Sequence, residues 1–240
     1  MKNLCLINQP AGLGDIMLCQ KIADAVIAKG YQIYWPVIDQ YLEDVKRYMQ
    51  KDGITFCSEN DDFPLKQYYS SGLIRPTSGD NGELYLPLRY ADLSYPGESV
   101  LRSKFKILNA NPSRWQRHLK FSRDANKENE LFYDVLGLSN EDSYAFTNLW
   151  YGSPPSPEKK NVSVATNIKN VEMKTIDGFS VFDWCKVIEK ASEIYCVDTS
   201  LFYVIDLLEI KAKTLEAYSK FDPSDYKHIA GLFEKPWRYN

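Results

Sequence analysis

Apolar and polar positions in the first quarter of the chain follow the order strand, helix, strand, helix, strand. A short apolar run at residues 4–7 predicts a buried strand, and residues 31–37 and 54–57 predict two more. Between the first two strands, apolar residues recur at the spacing of one helix face, at Ile16, Cys19, Ile22, Ala23, Val26 and Ile27. A second helix is predicted at residues 41–50. This order is typical of βαβ units, so the N-terminal part is predicted to be α/β with a parallel sheet.

The regular alternation of predicted strands and helices ends after residue 57. Residues 58–82 are rich in Asp, Ser, Gly, Asn and Pro, which predicts surface loops around one or two short elements. Residues 83–88 read as another buried strand that ends at Arg89. Helices are predicted at residues 99–108 and 129–136.

Strands and helices are predicted to alternate again in the second half of the chain. A domain boundary is expected near residues 139–143, where the helical pattern ends in small and polar residues. Strands are predicted at 144–149, 162–166, 171–176, 194–197 and 211–217, helices at 181–188, 201–208 and 226–233, and a proline-rich loop at 152–157. The second half thus repeats the architecture of the first without repeating its sequence.

Two halves of this kind predict a compact α/β fold with two Rossmann-like domains, residues 1–140 and residues 141–240. We expect the domains to face each other across a cleft lined by the carboxyl ends of their strands. The chain has 240 residues, 44% of them hydrophobic and 25% charged, which is ordinary for a globular protein with a sizeable core.

Charge and hydropathy exclude two classes of protein. A net charge of -3 and an isoelectric point near 5.6 are not those of a general nucleic-acid binder, which needs an excess of Lys and Arg. No apolar run approaches the roughly 18 residues of a membrane span, and the N-terminus leads into a strand rather than a secretory signal. A cytoplasmic protein without a membrane span is therefore expected.

The chain has few residues of the types that commonly bind metal ions. The five cysteines are scattered without metal-ligand spacing, so buried reduced thiols are expected. With only two histidines a zinc site is improbable, and no Asp-x-Asp motif follows an apolar strand. The adjacent acids Asp61 and Asp62 lie in a loop-like stretch. We expect no metal site and no cofactor.

Two glycines and a carboxylate lie between the first strand and the first helix, at Gly12, Gly14 and Asp15. Such a turn presents unpaired N–H groups and the positive end of the helix dipole, which suit an anion. A dinucleotide-binding fingerprint would need Gly or Ala at position 18, where the chain has Leu18. Asp15 is either a first-turn acid that stabilises the helix or a residue of the site, and the spacing leaves both open.

A second candidate turn comprises Asp198, Thr199 and Ser200, at another junction of strand and helix. Its hydroxyls and N–H groups suit phosphate oxygens, although the same residue types are preferred N-caps of any helix. Four further residues are weaker candidates. Asn148 ends a strand, Arg89 ends another, and Lys169 and Lys174 are expected near the cleft, each with an ordinary turn or surface role as its alternative.

The two turns resemble those of the heptosyltransferase-like glycosyltransferases of the GT-B fold. That family has a Gly-x-Gly-Asp turn in its acceptor-side domain, matched by Gly12 to Asp15, and an Asp-Thr-Gly turn in its donor-side domain. Here Ser200 replaces the glycine of the second turn, and Tyr203 falls near the position of the family's histidine. The resemblance also implies that the last helix crosses back to the N-terminal domain.

The resemblance implies an inverting, metal-independent transfer of a sugar from a nucleoside diphosphate to a glycan or other hydroxyl acceptor. Asp15 matches the general base, and Thr199 and Ser200 with the helix N-terminus would stabilise the leaving diphosphate. The alternative is a non-catalytic nucleotide-binding module of the same fold. A nicotinamide-dependent oxidoreductase is disfavoured, since only Asp39 is near the end of the second strand.

Overall fold

A computed structural model describes residues 3–152, 157–220, 229 and 231–240. The chain forms two compact units, Met1–Ser122 and Arg123–Asn240. This division falls earlier in the chain than the boundary expected between residues 140 and 141. The physical reason is that residues 125–135 pack within the second unit, where the side chain of Arg123 joins Glu128 to Glu189.

The first unit alternates strands and helices as the sequence predicts. Its elements are β1 (Asn3–Ile7), α1 (Leu13–Ile27), β2 (Tyr31–Val37), α2 (Asp39–Tyr48), β3 (Ile54–Ser58), α3 (Lys66–Tyr69), β4 (Thr77–Ser78), β5 (Leu84–Leu86), α4 (Ala91–Ser94) and α5 (Val100–Lys106). The strand order is β3-β2-β1-β5-β4, and every pairing is parallel except that of β4 with β5.

The central strand of this sheet is apolar because helices and neighbouring strands bury it. Cys5, Leu6 and Ile7 of β1 have no exposed surface, and the apolar face of α1 is buried as well. The predicted strand at residues 83–88 is shorter than expected, since β5 ends at Leu86. Pro87 follows with no N–H to donate, and Leu88–Tyr90 form a 3-10 turn.

The second unit has the same type of architecture. Its elements are α6 (Ala125–Asn129), which continues as a π-helical segment (Glu130–Val135), β6 (Tyr144–Asn148), β7 (Trp150–Tyr151), β8 (Glu158–Lys159), β9 (Lys169–Glu172), a 3-10 turn (Val181–Trp184), α7 (Cys185–Lys190), β10 (Glu193–Val197), α8 (Ser200–Leu207), β11 (Thr214–Tyr218) and β12 (Arg238–Tyr239). Its main sheet has the order β12-β11-β10-β6-β9, and all its pairings are parallel.

One predicted strand of this unit is wrong. Residues 162–166 form no ladder, and the N–H groups of Val162 and Thr166 bond to carbonyls only two residues back. Val162 and Val164 alternate with small residues there, but the segment is a half-exposed coil and not a buried strand. Most of the predicted loop at 152–157 and the first residues of the predicted helix at 226–233 lie outside the described residues. Residues 231–233 are turn and coil, not helix.

The last residues of the chain contact α8 through hydrogen bonds and a stacked pair of aromatic rings. The buried carboxylate of Asp206 accepts hydrogen bonds from the backbone N–H groups of Glu234 (2.9 Å) and Lys235 (3.0 Å). The ring of Trp237 stacks on Phe202 with centroids 4.1 Å apart. These contacts hold the last residues of the chain against α8. Among the described residues, no helix is both long and apolar enough to cross a bilayer.

Candidate functional site

The first cluster lies where the carboxyl end of β1 leads into α1. Gly12 caps the helix with φ 80° and ψ 87° and offers no side chain, so the N–H groups of the first turn are not capped by it. Gly14 is buried in that turn, and Asp15 follows it. The sequence thus places a carboxylate beside a free helix N-terminus at the ligand-binding edge of a parallel sheet.

The two carboxylate oxygens of Asp15 have different surroundings. Oδ1 is buried, lies 3.4 Å from the Nζ atom of Lys104, and has no hydrogen-bond partner among the described residues. Oδ2 occupies the space that a Cβ atom on residue 12 would need. The side chain is 27% exposed, so solvent reaches it on the side away from Oδ1. Asp15 is therefore neither enclosed in the core nor a fully solvated surface acid.

Lys104 is the residue of this cluster that the sequence analysis missed. It lies in α5 with its side chain only 2% exposed. Its ammonium donates to Gln9 Oε1 (2.6 Å) and to the carbonyl of Leu88 (3.2 Å). The available signal was its position in the helix, because Lys104 lies three residues after Leu101 and four before Leu108, on an apolar stripe.

Gln9 ties this cluster to the core of the sheet. Its side-chain amide donates to the carbonyl of Ala11 (2.6 Å), and its backbone carbonyl accepts from Trp35 Nε1 (2.9 Å). Trp35 in β2 has no exposed surface. A buried, hydrogen-bonded network of this kind holds its members in one arrangement.

Cys19 is one helical turn beyond Asp15 and is fully buried. Burial raises the pKa of its thiol to about 12, with Lys104 lowering the pKa and Asp15 raising it by smaller amounts. The thiol is therefore protonated near neutrality and is not a nucleophile. All five cysteines are free; four are buried as expected, whereas Cys57 is half-buried, and burial raises the pKa of each thiol.

Arg89 lies in the 3-10 turn beyond the carboxyl end of β5, so it shares the edge of the sheet with the α1 N-terminus. Its backbone N–H donates to the carbonyl of Asn8 (2.8 Å), and its exposed guanidinium lies 5.7 Å from the ring centroid of Tyr90. Asp39, the acid considered for a nicotinamide cofactor, accepts hydrogen bonds from Ser58 and from Asn60 (3.0 Å). It is a structural residue of the α2 N-terminus.

The second cluster lies in the other unit, between β10 and α8. Thr199 is the N-cap of α8, and its hydroxyl accepts from the N–H of Leu201 (3.3 Å) and from Asn148 Nδ2 (3.2 Å). Asn148 is buried at the carboxyl end of β6. Ser200 is the first residue of the helix and is half-buried. The structure thus brings the candidate residues Asn148, Thr199 and Ser200 together at one end of the sheet.

Asp198 closes this cluster on the side of β11. Its N–H donates to the carbonyl of Tyr218 (3.0 Å), and its Oδ1 accepts from the N–H of Lys220 (2.9 Å). Lys160 in turn donates from Nζ to the carbonyl of Lys220 (3.4 Å). Neither lysine stands out in the sequence, because each follows a strand whose neighbours only the sheet order reveals.

Lys169 is not part of this cluster. It opens β9 and pairs with Tyr144 at the start of β6, whereas Asn148 ends β6. The strands are parallel, so Lys169 lies at the amino-terminal edge of the sheet and the cluster at the carboxyl-terminal edge. A strand at 162–166 would have left Lys169 just beyond a carboxyl end, but those residues form no strand and Lys169 opens β9 instead. Lys174 follows the carboxyl end of β9.

The described residues offer no metal site of the usual composition. No group of three His, Cys, Asp or Glu side chains within them is arranged to hold an ion. Both clusters instead combine a helix N-terminus with hydroxyl, amide or ammonium groups. Such groups bind anions such as phosphates without a cation.

Comparison with solved structures gives the fold class and examples of it. No family model matches the chain, and no curated protein matches it. A glycosyl transferase family 9 protein from Veillonella parvula DSM 2008 has a TM-score of 0.55 at 11% identity, over 98% of this chain and 86% of that one. The likeness shows a mixed α/β fold with parallel sheets of the kind found in that transferase.

A second neighbour is the bacterial iron-containing dodecameric glycosyltransferase TibC from enterotoxigenic E. coli H10407. It matches all of this chain with a TM-score of 0.53 at 10% identity, and the chain spans 62% of its length. The structure described as heptosyltransferase TibC in complex with ADP-D-beta-D-heptose matches with a TM-score of 0.51 at 10% identity, over the same shares.

Proposed function

We propose that this chain is a glycosyltransferase that moves a sugar from a nucleoside diphosphate to a hydroxyl acceptor. The observation that supports it most is the half-exposed carboxylate of Asp15, held beside a free helix N-terminus at the carboxyl edge of a parallel sheet. We assign the acceptor to the first unit and the donor to the second, in a GT-B arrangement. The fold shared with the Veillonella transferase and TibC supports this assignment.

The proposed chemistry is a direct displacement at the anomeric carbon. Asp15 takes the proton from the acceptor hydroxyl while that oxygen forms its bond to the anomeric carbon. The bond from the anomeric carbon to the diphosphate oxygen breaks, and the electron pair leaves with the nucleoside diphosphate. A single base and a direct attack invert the anomeric configuration.

The donor side must stabilise the negative charge that develops on the leaving diphosphate. The N-terminus of α8, the hydroxyls of Thr199 and Ser200 and the amide of Asn148 are oriented groups of the required type. Lys160 and Lys220 add positive charge at the same edge of the sheet. We propose that these groups replace a metal ion. TibC is described as bound to ADP-D-beta-D-heptose, which supports a nucleotide sugar as donor.

Nucleotide titration of a Thr199→Ala variant tests the donor side. We expect isothermal calorimetry to show binding of one nucleoside diphosphate from a panel of ADP, GDP and UDP to the unaltered protein. The variant should bind that nucleotide about ten-fold more weakly or worse, because a hydrogen bond to a charged group contributes about 1.5–3 kcal/mol.

The control is Ser99→Ala, because Ser99 is the N-cap of α5 in the first unit and accepts from the N–H of Arg102 (3.3 Å). Both variants lose a cap worth about 1 kcal/mol of stability. Only the Thr199 variant should lose nucleotide affinity. Equal affinity in both variants would remove Thr199 from the donor site.

A Gly12→Ala variant tests the turn before α1. An added methyl group meets Asp15 Oδ2, and the positive φ is unfavourable for alanine. Because Oδ2 is the mobile end of a side chain, we expect the carboxylate to rotate away. Turnover of the donor should fall about ten-fold or more, in line with the sensitivity of catalysis to small misplacements.

Gly30→Ala is the matched control at the other end of the same helix. Gly30 also has a positive φ of 88°, but nothing lies within 4 Å of the added methyl group. We expect both variants to lose about 1–2 kcal/mol of stability from the strained backbone. Similar turnover in the two variants would show that the placement of the Asp15 carboxylate does not matter.

A further inference from the structure

We infer that Lys104 is a positioning residue for Asp15, which fixes one carboxylate oxygen and leaves the other to receive the acceptor's proton. The inference rests on the proposed function, in which Asp15 is the general base. It begins from a lysine whose side chain is only 2% exposed, at a helix position that faces the interior, with its ammonium close to the Asp15 carboxylate.

The ammonium group of Lys104 is surrounded by oxygen atoms. An ammonium group has three N–H donors and no acceptor. Three oxygens face Nζ, namely Gln9 Oε1 at 2.6 Å, the Leu88 carbonyl at 3.2 Å and Asp15 Oδ1 at 3.4 Å. Two of them are neutral, so Asp15 supplies the opposite charge. A buried cation is costly unless it is paired, so the Asp15 carboxylate is the charged partner that the buried Lys104 has in this cluster.

The ion pair divides the carboxylate into an inner and an outer oxygen. Oδ1 is buried and faces Lys104, whereas Oδ2 lies over Gly12, where no side chain covers it. A hydroxyl that approaches the α1 N-terminus therefore meets Oδ2. Gln9 Oε1 and the Leu88 carbonyl accept hydrogen bonds from Lys104, so its ammonium stays in place while Oδ2 takes the proton. Lys104 orients the base without exchanging a proton.

The anchoring of Lys104 makes this orientation rigid. Gln9 is fixed at both ends, through its side chain to Ala11 and through its carbonyl to the buried indole of Trp35. The position of Nζ is thus set by the core of the sheet rather than by solvent. A group held in this way keeps its partner in the reactive geometry, which is the usual role of the residues behind a catalytic group.

Lys104→Met tests the inference, because methionine has nearly the same length and no charge. We would measure single-turnover release of the nucleoside diphosphate from radiolabelled ADP-heptose and from other nucleotide sugars, with water as acceptor. We expect the rate at saturation to fall about 10- to 100-fold. Mutation of residues that hydrogen-bond to a metal-binding side chain and orient it causes losses of this size. The donor KM should change less than two-fold.

Two comparisons separate positioning from a structural role. In an Asp15→Asn background, Lys104→Met should cause no further loss, since its effect acts through that carboxylate. Lys106→Met is the control on the same helix, because Lys106 is 53% exposed and pairs with Glu98 at 2.7 Å. It should leave the rate unchanged. If Lys104→Met impairs folding, Lys104→Gln takes its place, because glutamine keeps a hydrogen-bond donor but carries no charge. The Lys104→Gln variant should show the same loss of rate.

The outcomes distinguish this inference from the proposed function. If the unaltered protein cleaves a donor and Asp15→Asn cleaves it about 10²- to 10⁴-fold more slowly, the proposed function holds. A Lys104→Met rate equal to that of the unaltered protein, or a loss that persists in the Asp15→Asn background, would then overturn the inference alone. If the unaltered protein cleaves no donor, the proposed function fails and the role of Lys104 fails with it.

Discussion

Asp15→Asn is expected to lower turnover of the nucleotide sugar by about 10²- to 10⁴-fold while nucleotide affinity changes little. Loss of a general base typically has an effect of this size. Asparagine keeps the shape of the side chain but accepts no proton, and Asp15 lies in the unit that we do not assign to the donor. The measurement is release of the nucleoside diphosphate at saturating donor, with affinity measured by calorimetry.

Asp24→Asn is the matched control for this variant. Asp24 lies in the same helix and is also partly exposed, but its carboxylate pairs with Lys51 and with His118 Nδ1 (2.9 Å). Its loss should affect stability and leave turnover within about two-fold, since it lies away from the helix N-terminus. If both variants lost activity equally, the helix as a whole would matter rather than the Asp15 carboxylate.

Trp35→Ala is expected to destabilise the first unit by about 3–5 kcal/mol, the usual cost of removing a fully buried tryptophan. Trp35 packs on Phe56 with ring centroids 5.6 Å apart. Its loss also leaves the Gln9 carbonyl without the indole N–H that it accepts. Because Gln9 holds Lys104, turnover should fall as well. Urea unfolding followed by far-UV circular dichroism measures the change in stability.

Trp150→Ala is the control for this second prediction. Trp150 is 40% exposed in the hairpin of β7 and β8, where it donates to Glu172 (3.0 Å). We expect a loss of less than about 1 kcal/mol, as for most surface substitutions. A Trp35→Ala protein as stable as the Trp150→Ala protein would contradict the assigned core of the first unit.

The sequence predicted elements wherever one periodicity dominated. The strand at 31–37 and the helix that ends near Gly30 match the structure, because each has a clear apolar pattern and a clear stop. The strand predicted at 162–166 is wrong, since apolar alternation alone does not reveal whether a partner strand is present. The domain boundary differs because the packing of residues 125–135 on α7 is a tertiary contact.

The candidate site was predicted in part for the same reason. The turns at Gly12 and Thr199 stand out locally, as glycines and capping residues between a strand and a helix. Lys104 is 89 positions from Asp15 in the chain, and only the fold brings them together. Lys169 lies at the amino-terminal edge of its sheet rather than near the second cluster, because residues 162–166 form no strand and Lys169 opens β9.

Release of nucleoside diphosphate from a panel of nucleotide sugars tests the central claim most directly. We expect the unaltered protein to cleave one donor of the panel, with ADP-heptose as the first to try, and the Asp15→Asn protein to bind the same donor without cleaving it. Binding of a nucleotide sugar with no cleavage by the unaltered protein, even over many hours with a range of hydroxyl acceptors, would contradict the account and indicate a non-catalytic nucleotide-binding module.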